Sequence, residues 1–275
     1  MTLNPLGHQT EYISVYTPEL LFPIKRAESR ELLGIKENLP FNGMDIWTGY
    51  ELSWLDIQGK PIVAVAEFVI PCTSEFMIES KSFKLYLNSF NQTRFNCLND
   101  IESILVKDLS RVTNAAVEVH VRPLSSLNVT DNLHFIAQLQ GQCIDELPVT
   151  IEHYLPTAAL LSVVDGVAVD ESLHSHLLKT NCPVTGQPDW ASIQIAYQGN
   201  KIEQEALLRY IVSFREHQDF HEHCVERIFT DILRECKPQA LTVYARYTRR
   251  GGLDINPFRT TSSQCKPVGL RLIRQ

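Results

Sequence analysis

The sequence predicts an α+β protein built from two similar halves, residues 1–150 and 151–275. Its 275 residues are enough for two domains that each bury a hydrophobic core. Segments in which apolar residues alternate, as in strands, are followed by segments in which they recur every three or four positions, as in amphipathic helices. Because this order occurs in each half, each half is expected to be an antiparallel sheet with two helices packed on one face.

In the first half, strands are predicted at 51–57 and 61–70, on either side of a Gly-Lys-Pro turn. A further strand is predicted at 115–123, where valines alternate with polar residues. Between these strands the apolar residues recur at helical spacing in two groups. The groups are Phe83, Tyr86, Leu87 and Phe90, followed by Ile101, Ile104, Leu105 and Leu109.

The second half repeats this pattern. Residues 190–199 alternate as a half-buried strand does, Gly199 predicts the end of that strand, and helical spacing begins at Lys201. Residues 241–248 alternate again, whereas 122–174 show no clear pattern and are predicted to hold the linker. The helical groups are Leu207, Tyr210, Ile211 and Phe214, then Val225, Ile228, Phe229, Ile232, Leu233 and Cys236.

The composition excludes several functional classes. The chain has 25 lysines and arginines against 32 aspartates and glutamates, and the net charge of −7 argues against a broad grip on nucleic acid. The longest apolar runs, such as 62–70, are too short to cross a bilayer, and residues 1–12 show no signal-peptide pattern. We therefore expect a cytoplasmic protein that engages neither a membrane nor nucleic acid directly.

Motifs for metals and nucleotides are absent from the sequence. The seven cysteines are scattered, which excludes CxxC motifs and gives no disulfide framework. There is no GxG, GxxxxGK[ST], GxSxG or HExxH, so a nucleotide would be held without a glycine-rich loop of these types. His217, His221 and His223 superficially resemble a metal site. Asp219, however, is expected to start a helix between the first two, so they need not share a face, and no metal is predicted.

Cys182 and Asp189 lie in TNCPVTGQPDW, a stretch expected to turn between two strands. Pro183 restricts the backbone there and places the thiol on a rigid loop. A free thiol with a pKa of about 8.5 is mostly protonated at neutral pH, and an adjacent carboxylate suppresses the thiolate further. The pair makes chemical sense if Asp189 takes the thiol proton and gives it to a nitrogen on the attacked carbon. From the residues alone, a buried unreactive thiol is an equally good interpretation.

His221 and Glu222 are candidate binding residues where a second-half helix is expected to begin. His221 opens the inward stripe of that helix and would point towards a ligand. A core histidine is the alternative. Glu222 would equally form a capping box with Asp219, three residues earlier.

Two basic or polar clusters complete the candidates. Glu79, Ser80, Lys81 and Ser82 lie at the start of a first-half helix, where exposed donors favour an anion or a polar base. The lysine would equally be a solvated surface charge. In TRRGG, an arginine and a glycine, Arg250 and Gly251, combine a phosphate-binding group with close backbone approach, although a plain turn is also compatible.

Taken together, ESKSFKLYLNSFNQ, NCPVTGQPDW, SFREHQDFHEHCVERIF and YTRRGGLDINPFR resemble the long-form NADPH-dependent 7-cyano-7-deazaguanine reductases of queuosine biosynthesis, the nitrile reductases. The resemblance covers essentially the whole chain, and no motif residue departs from it. It implies tandem tunnelling-fold (T-fold) units, which agrees with the repeated order of elements. It also implies reduction of a deazapurine nitrile to a primary amine by two NADPH, without a metal, in a homodimer.

The resemblance also implies roles for individual residues. Cys182 would be the nucleophile that forms a covalent thioimide with the nitrile carbon, and Asp189 the proton donor. The matching deazapurine-binding residues are Glu79, Ser80, Lys81, His221 and Glu222, and the matching NADPH-binding residues are Lys81, Ser82, Arg250 and Gly251. The ligand is a free base rather than tRNA, which is compatible with the negative net charge.

Two alternatives remain at this point. One is another T-fold enzyme acting on a pterin or purine, such as a GTP cyclohydrolase, which would in the main need zinc held by histidine or cysteine. The other is a non-catalytic ligand-binding protein built on the same duplicated sheet. We expect that the chain binds no zinc and that it reacts covalently with its ligand, which distinguishes it from both.

Overall fold

The computed structural model describes residues 13–126 and 136–275, and these form two compact units. Unit 1 contains residues 13–28, 44–126 and 249–255, and unit 2 contains residues 29–43, 136–248 and 256–275. Residues 1–12, used above to judge a signal peptide, and residues 127–135 of the predicted linker lie outside the described residues. The division of the sequence near residue 150 into two tunnelling-fold halves stays a prediction.

Helices and mainly antiparallel strands make up the protein, which confirms the predicted α+β class. The first elements are β1 (Pro23–Lys25), α1 (Arg26–Leu32), β2 (Asn42–Leu55), β3 (Pro61–Pro71), β4 (Phe76–Ile78), α2 (Ser80–Asn88), α3 (Leu98–Thr113) and β5 (Glu118–Pro123). The later ones are β6 (Gln142–Cys143), β7 (Val163–Asn181), β8 (Pro188–Ile202), α4 (Gln204–Val212), α5 (His221–Cys236), β9 (Ala240–Tyr247) and β10 (Leu253–Thr260). Within the described ranges, no helix combines the length and apolar character that a membrane span requires.

In unit 1, β2, β3 and β5 form an antiparallel sheet in the order β5-β3-β2. Ala64, Ala66, Phe68 and Ile70 of β3 are buried, and the residues between them are more exposed, so the predicted alternation is present. Phe83 of α2 packs edge-on against Phe68, with ring centroids 4.9 Å apart. Apolar residues of α3 belong to the same core. Both helices therefore cover one face of this sheet.

In unit 2, the strands follow the order β10-β9-β8-β7-β6, with β10 counted from Asn256. Ile193, Ile195 and Tyr197 of β8 are buried, as their alternation predicts. Helix α4 packs against β7, and α5 packs against β9. The Tyr210 hydroxyl of α4 donates a hydrogen bond to Asp231 of α5 over 2.8 Å. The two helices are thus joined to each other as well as to the sheet.

Glu226 of α5 lies between two arginines in the interior of unit 2. Its Oε1 accepts hydrogen bonds from Arg30 Nη2 (2.7 Å) and Arg259 Nη2 (2.8 Å). Glu226 and Arg259 are fully buried, and Arg30 is nearly so. Because a buried charge is costly without its partner, this carboxylate is needed to keep both cations inside the protein.

Three features of the fold differ from the prediction. Strand β8 continues through Gly199 to Ile202 and α4 begins only at Gln204, so the helix start predicted at Lys201 is wrong. The segment predicted as linker contains β6 and the first part of β7. The stretch after the double glycine, to which no strand was assigned, is β10, in which every residue is buried.

Candidate active site

Cys182 lies in the loop between β7 and β8. The Cys182 N–H donates to the Gln187 carbonyl (2.9 Å), and the Gly186 N–H donates to the Cys182 carbonyl (3.0 Å). The preceding residue, Asn181, is bonded to the segment before α5 through its N–H and the His217 carbonyl (2.8 Å). The thiol-bearing residue is only 6% exposed. The predicted turn between two strands is confirmed, and its backbone is fixed at both ends.

Buried Asp189 and partly buried His221 form a pair in the same unit. Asp189 is the second residue of β8, and His221 is the first residue of α5. His221 Nε2 lies 3.2 Å from Asp189 Oδ2. The imidazole also stacks on Tyr247 of β9, with ring centroids 3.7 Å apart and an interplanar angle of 4°. A carboxylate in contact with a clamped imidazole is an arrangement suited to proton transfer.

Tyr247 provides an uncharged ring on which the His221 imidazole stacks. The phenol is fully buried, and burial raises its pKa well above the ordinary value. Its charge therefore does not change near neutral pH. The stacked ring fixes the imidazole plane so that Nε2 stays directed at Asp189.

Asp219 holds the two histidines on either side of His221. His217 Nε2 lies 3.5 Å and His223 Nδ1 lies 3.1 Å from its carboxylate. Burial alone would raise the pKa of Asp219, but the contacts with the two imidazoles outweigh burial and hold that pKa well below its usual range. His221 contacts Asp189 instead. The three imidazoles that resemble a metal site in the sequence are therefore divided between two carboxylates.

The capping box predicted for Asp219 and Glu222 is wrong. The N-cap residue of α5 is Phe220, and no side chain caps the helix. The Asp219 carboxylate instead accepts a hydrogen bond from the Phe220 N–H (2.8 Å) and contacts His223. Glu222 therefore does not take part in a capping box. It is 2% exposed in the first turn of α5, where the helix dipole favours its negative charge.

Glu79 is the N-cap of α2 in unit 1. Its two carboxylate oxygens accept hydrogen bonds from the N–H groups of Lys81 (2.8 Å) and Ser82 (2.7 Å). Burial raises the pKa of Glu79 more than these bonds lower it. The Ser82 hydroxyl is also engaged, because it donates to the Glu79 carbonyl and accepts from Phe22 N–H. Ser80 and Lys81 are half-buried at the predicted helix start.

Arg250 and Gly251 occupy the tight turn between β9 and β10. The turn is closed by the Arg250 N–H and the Leu253 carbonyl (2.8 Å), and Gly251 and Gly252 have φ values of +63° and +80°. A Cβ at Gly251 would lie 3.1 Å from Lys84 Cδ. Lys84 belongs to α2, the helix that carries the other predicted NADPH residues. The structure thus brings these two predicted groups into one region of unit 1.

The predicted site residues fall into two sets. Cys182, Asp189, His221 and Glu222 belong to unit 2, and Glu79, Ser80, Lys81, Ser82, Arg250 and Gly251 belong to unit 1. The stacking of Tyr247 on His221 was not predicted, because Tyr247 was identified only as part of the alternating segment 241–248. The sequence does contain a signal for this contact, because Tyr247 is a polar aromatic residue at the end of a strand, next to the basic TRRGG turn.

Two family models match this chain, and the matched segments contain most of the predicted site residues. A family model described as "Nitrile reductase, 7-cyano-7-deazaguanine-reductase N-term" matches residues 12–121, and one described as "QueF-like protein" matches residues 188–266. Together they include every predicted site residue except Cys182.

Similar proteins match the chain from end to end. One from Saccharophagus degradans is 53% identical over 100% of both chains. One from Desulfotalea psychrophila is 55% identical over 98% of this chain and 97% of its own, and one from Bordetella avium is 54% identical over 98% of each. All three are named NADPH-dependent 7-cyano-7-deazaguanine reductase. With this identity over nearly its full length, and with a thiol loop and a carboxylate–imidazole pair in one unit, the chain belongs to the NADPH-dependent 7-cyano-7-deazaguanine reductase family.

Proposed function

We propose that this chain reduces the nitrile of 7-cyano-7-deazaguanine to an aminomethyl group, with NADPH as reductant, in queuosine biosynthesis. The observation that carries the proposal is the pairing of Asp189 with His221 over 3.2 Å, in the unit whose clamped loop holds Cys182. Addition of a thiol to a nitrile requires a nucleophile and a proton source for the nitrile nitrogen. Cys182 and Asp189 have the chemistry for these two roles.

The first step forms a covalent thioimide. The Cys182 sulfur bonds to the nitrile carbon, one π bond of the nitrile breaks, and the nitrogen takes a proton from Asp189. The thiol proton replaces the one that Asp189 gives, so charge and protons balance in this step. Covalent attachment keeps a poorly electrophilic carbon in place for the reduction that follows.

Two molecules of NADPH, bound in turn, would each supply one hydride, the first for reduction of the thioimide to an imine and the second for reduction of the imine to the primary amine. The Cys182 sulfur leaves as thiolate at the imine stage and takes up a proton. A second proton completes the amine. Because His221 is within 3.2 Å of Asp189, it is placed to return a proton to that carboxylate between steps.

We assign recognition of the deazapurine to Glu79, Ser80, Lys81, His221 and Glu222. A guanine-like edge is rich in N–H donors, and carboxylates are acceptors with several lone pairs. Glu79 keeps acceptor capacity after its two backbone hydrogen bonds, because each carboxylate oxygen has a second lone pair. Glu222, 2% exposed in the first turn of α5, offers carboxylate acceptors of the same kind.

We assign NADPH binding to Lys81, Ser82, Arg250 and Gly251. The fit is electrostatic, since the glycine turn lies against Lys84 and presents Arg250 at the surface. A guanidinium and an ammonium suit the phosphates of the cofactor. Ser82 already makes two internal hydrogen bonds through its hydroxyl, so a direct contact would exchange one of them.

For the architecture we propose two tunnelling-fold units in tandem, near residues 1–150 and 151–275, assembled as a homodimer in the cytoplasm. The repeated order of strands and helices supports the tandem arrangement. The negative net charge supports a free base, rather than tRNA, as the ligand.

Turnover by the full chain tests this proposal. With 7-cyano-7-deazaguanine present, we expect two NADPH oxidised for each aminomethyl product, and no product from Cys182→Ala. Cys265→Ala is the matched control, because this cysteine is exposed, and it should react at the wild-type rate. Product formation by Cys182→Ala at the wild-type rate would refute the assignment.

A further inference from the structure

One edge of the unit 2 sheet brings a cysteine and two histidines together. The short strand β6 runs parallel to β7 and places Cys143 opposite His174. His176 is two residues further along β7, and its ring centroid lies 5.4 Å from that of His174. One candidate ligand atom from each of these three residues lies within 4.8 Å of the others.

Both imidazoles have one nitrogen held by the protein and one nitrogen available. His176 Nδ1 lies 2.8 Å from Ser192 Oγ, which leaves Nε2 for a ligand. His174 makes a hydrogen bond to the backbone of Gln140, and its buried Nδ1 has no hydrogen-bond partner among the described residues. The hydrogen bond of His174 therefore uses Nε2. With His174 only 9% exposed, its open Nδ1 is a buried polar atom that a ligand would satisfy.

We propose that Cys143, His174 and His176 bind a zinc ion, with water as the fourth ligand. Cysteine sulfur and histidine nitrogen are the donors that zinc prefers. In a tetrahedral zinc site the ligand atoms lie about 3.3 to 3.6 Å apart, so closure from the present arrangement needs side-chain movements of about 1 Å. The other ring nitrogen of each histidine makes a hydrogen bond of the kind that orients metal-binding histidines.

The segment after Cys143 is already fixed to β7 at this point. The Asp145 carboxylate accepts hydrogen bonds from the Ser175 hydroxyl (2.6 Å) and from the His176 N–H (3.0 Å). Strand β6 itself has only two residues. A zinc ion would therefore fasten a short edge strand that few backbone hydrogen bonds hold.

This site is separate from the reaction centre. Five residues of β7 lie between His176 and Cys182, and the six residue steps span roughly 20 Å in an extended strand. The proposal goes beyond the sequence-based expectation that the chain binds no metal. It leaves the reduction at Cys182 free of metal.

The test is a Co²⁺ titration of full-length protein from which metal has been removed with a chelator. We expect one Co²⁺ per chain with a thiolate-to-cobalt charge-transfer band, and displacement of this band by Zn²⁺. Cys143→Ser should lose the band, and His176→Asn should weaken binding by at least about tenfold. Cys182→Ala and the exposed-cysteine control Cys97→Ser should keep it.

Thermal melting with and without Zn²⁺ provides a second measurement. Wild type should melt at a higher temperature with Zn²⁺, and His176→Asn should show a smaller rise. The matched control is His120→Asn, an exposed histidine on β5, which should behave as wild type. A wild-type protein without a charge-transfer band, or a band kept by Cys143→Ser, would overturn the proposal.

Discussion

Replacing Asp189 with asparagine removes a proton donor and keeps the shape of the side chain. The carboxylate is 6% exposed and lies 3.2 Å from His221 Nε2. The amide can still hydrogen-bond the imidazole, but it does not take up or release a proton near neutral pH. We therefore expect Asp189→Asn to fold and to fail in product formation.

The expected magnitude follows from the role proposed for Asp189. A positioned general acid contributes about 10²- to 10⁴-fold in rate, or about 2.7 to 5.4 kcal/mol at 1.36 kcal/mol for each factor of ten. Because the carboxylate is buried, water has little access to replace it, so we expect a loss near the upper limit. The weaker hydrogen bond to His221 should cost about 1 to 3 kcal/mol of unfolding free energy.

The assay is the rate of aminomethyl product formation at saturating substrate and NADPH, with urea unfolding of the same samples. Asp165→Asn is the matched control, because it changes an exposed carboxylate of β7. It should leave both rate and stability unchanged. Turnover by Asp189→Asn within about threefold of wild type would mean that the proton comes from another group, and the proposed mechanism would fail.

Three further predictions concern the surroundings of the site. Glu226→Ala leaves two buried arginines without this carboxylate and should lower the unfolding free energy by about 3 to 5 kcal/mol in urea; a loss below 1 kcal/mol would contradict the buried ion cluster. The pKa of Asp219 is lower in the folded than in the unfolded chain, where it is about 3.9, so the ionised carboxylate stabilises the fold above that pH. Asp219→Asn should therefore lower the unfolding free energy by about 1.5 to 3 kcal/mol at pH 7. The difference in unfolding free energy between variant and wild type should shrink as the pH falls below about 4. A difference that is constant from pH 7 to pH 3 would argue against that ionised contact. Gly251→Ala, at φ +63° beside Lys84, should raise the KM for NADPH about tenfold and lower stability by about 1 to 2 kcal/mol through backbone strain. The control Gly166→Ala, at φ +75° with no neighbour within 4 Å, should lose similar stability without a change in KM. Equal KM values for the two variants would show that the Gly251 turn does not bind the cofactor.

Local periodicity was sufficient where an element has one buried face. The alternation of β3 and the apolar stripe of α2 follow from burial on one side only, and both are present in the structure. Strand β10 lacks this signal, because it is buried on both faces and its polar residues are paired. Asp254 accepts a hydrogen bond from Tyr50, and Asn256 accepts one from Gln275. A strand of this kind does not alternate in sequence.

Glycine was misleading at one strand end. Gly199 was interpreted as the end of the strand, but β8 stays paired with β7 through this residue. A Cβ at Gly199 would lie 3.0 Å from Pro238 Cα, so the glycine permits close approach of another segment. Local sequence does not reveal a neighbour 39 positions away.

The candidate site was also only partly predictable from local sequence. The thiol loop and the helix start were predictable from Pro183 and from the helical stripe of α5. The contact of His221 with Asp189, and its stacking on Tyr247, depend on tertiary packing of three elements. Asp219 was assigned to a cap because capping is a local pattern, whereas its real partners are two imidazoles.

The most direct test of the central claim, that Cys182 attacks the nitrile, is intact-mass spectrometry of the full chain with 7-cyano-7-deazaguanine and no NADPH. We predict an adduct of one substrate mass in wild type and in Asp145→Asn, and none in Cys182→Ala. Folded wild-type protein that binds the base but gains no mass, or an adduct that persists in Cys182→Ala, would contradict it.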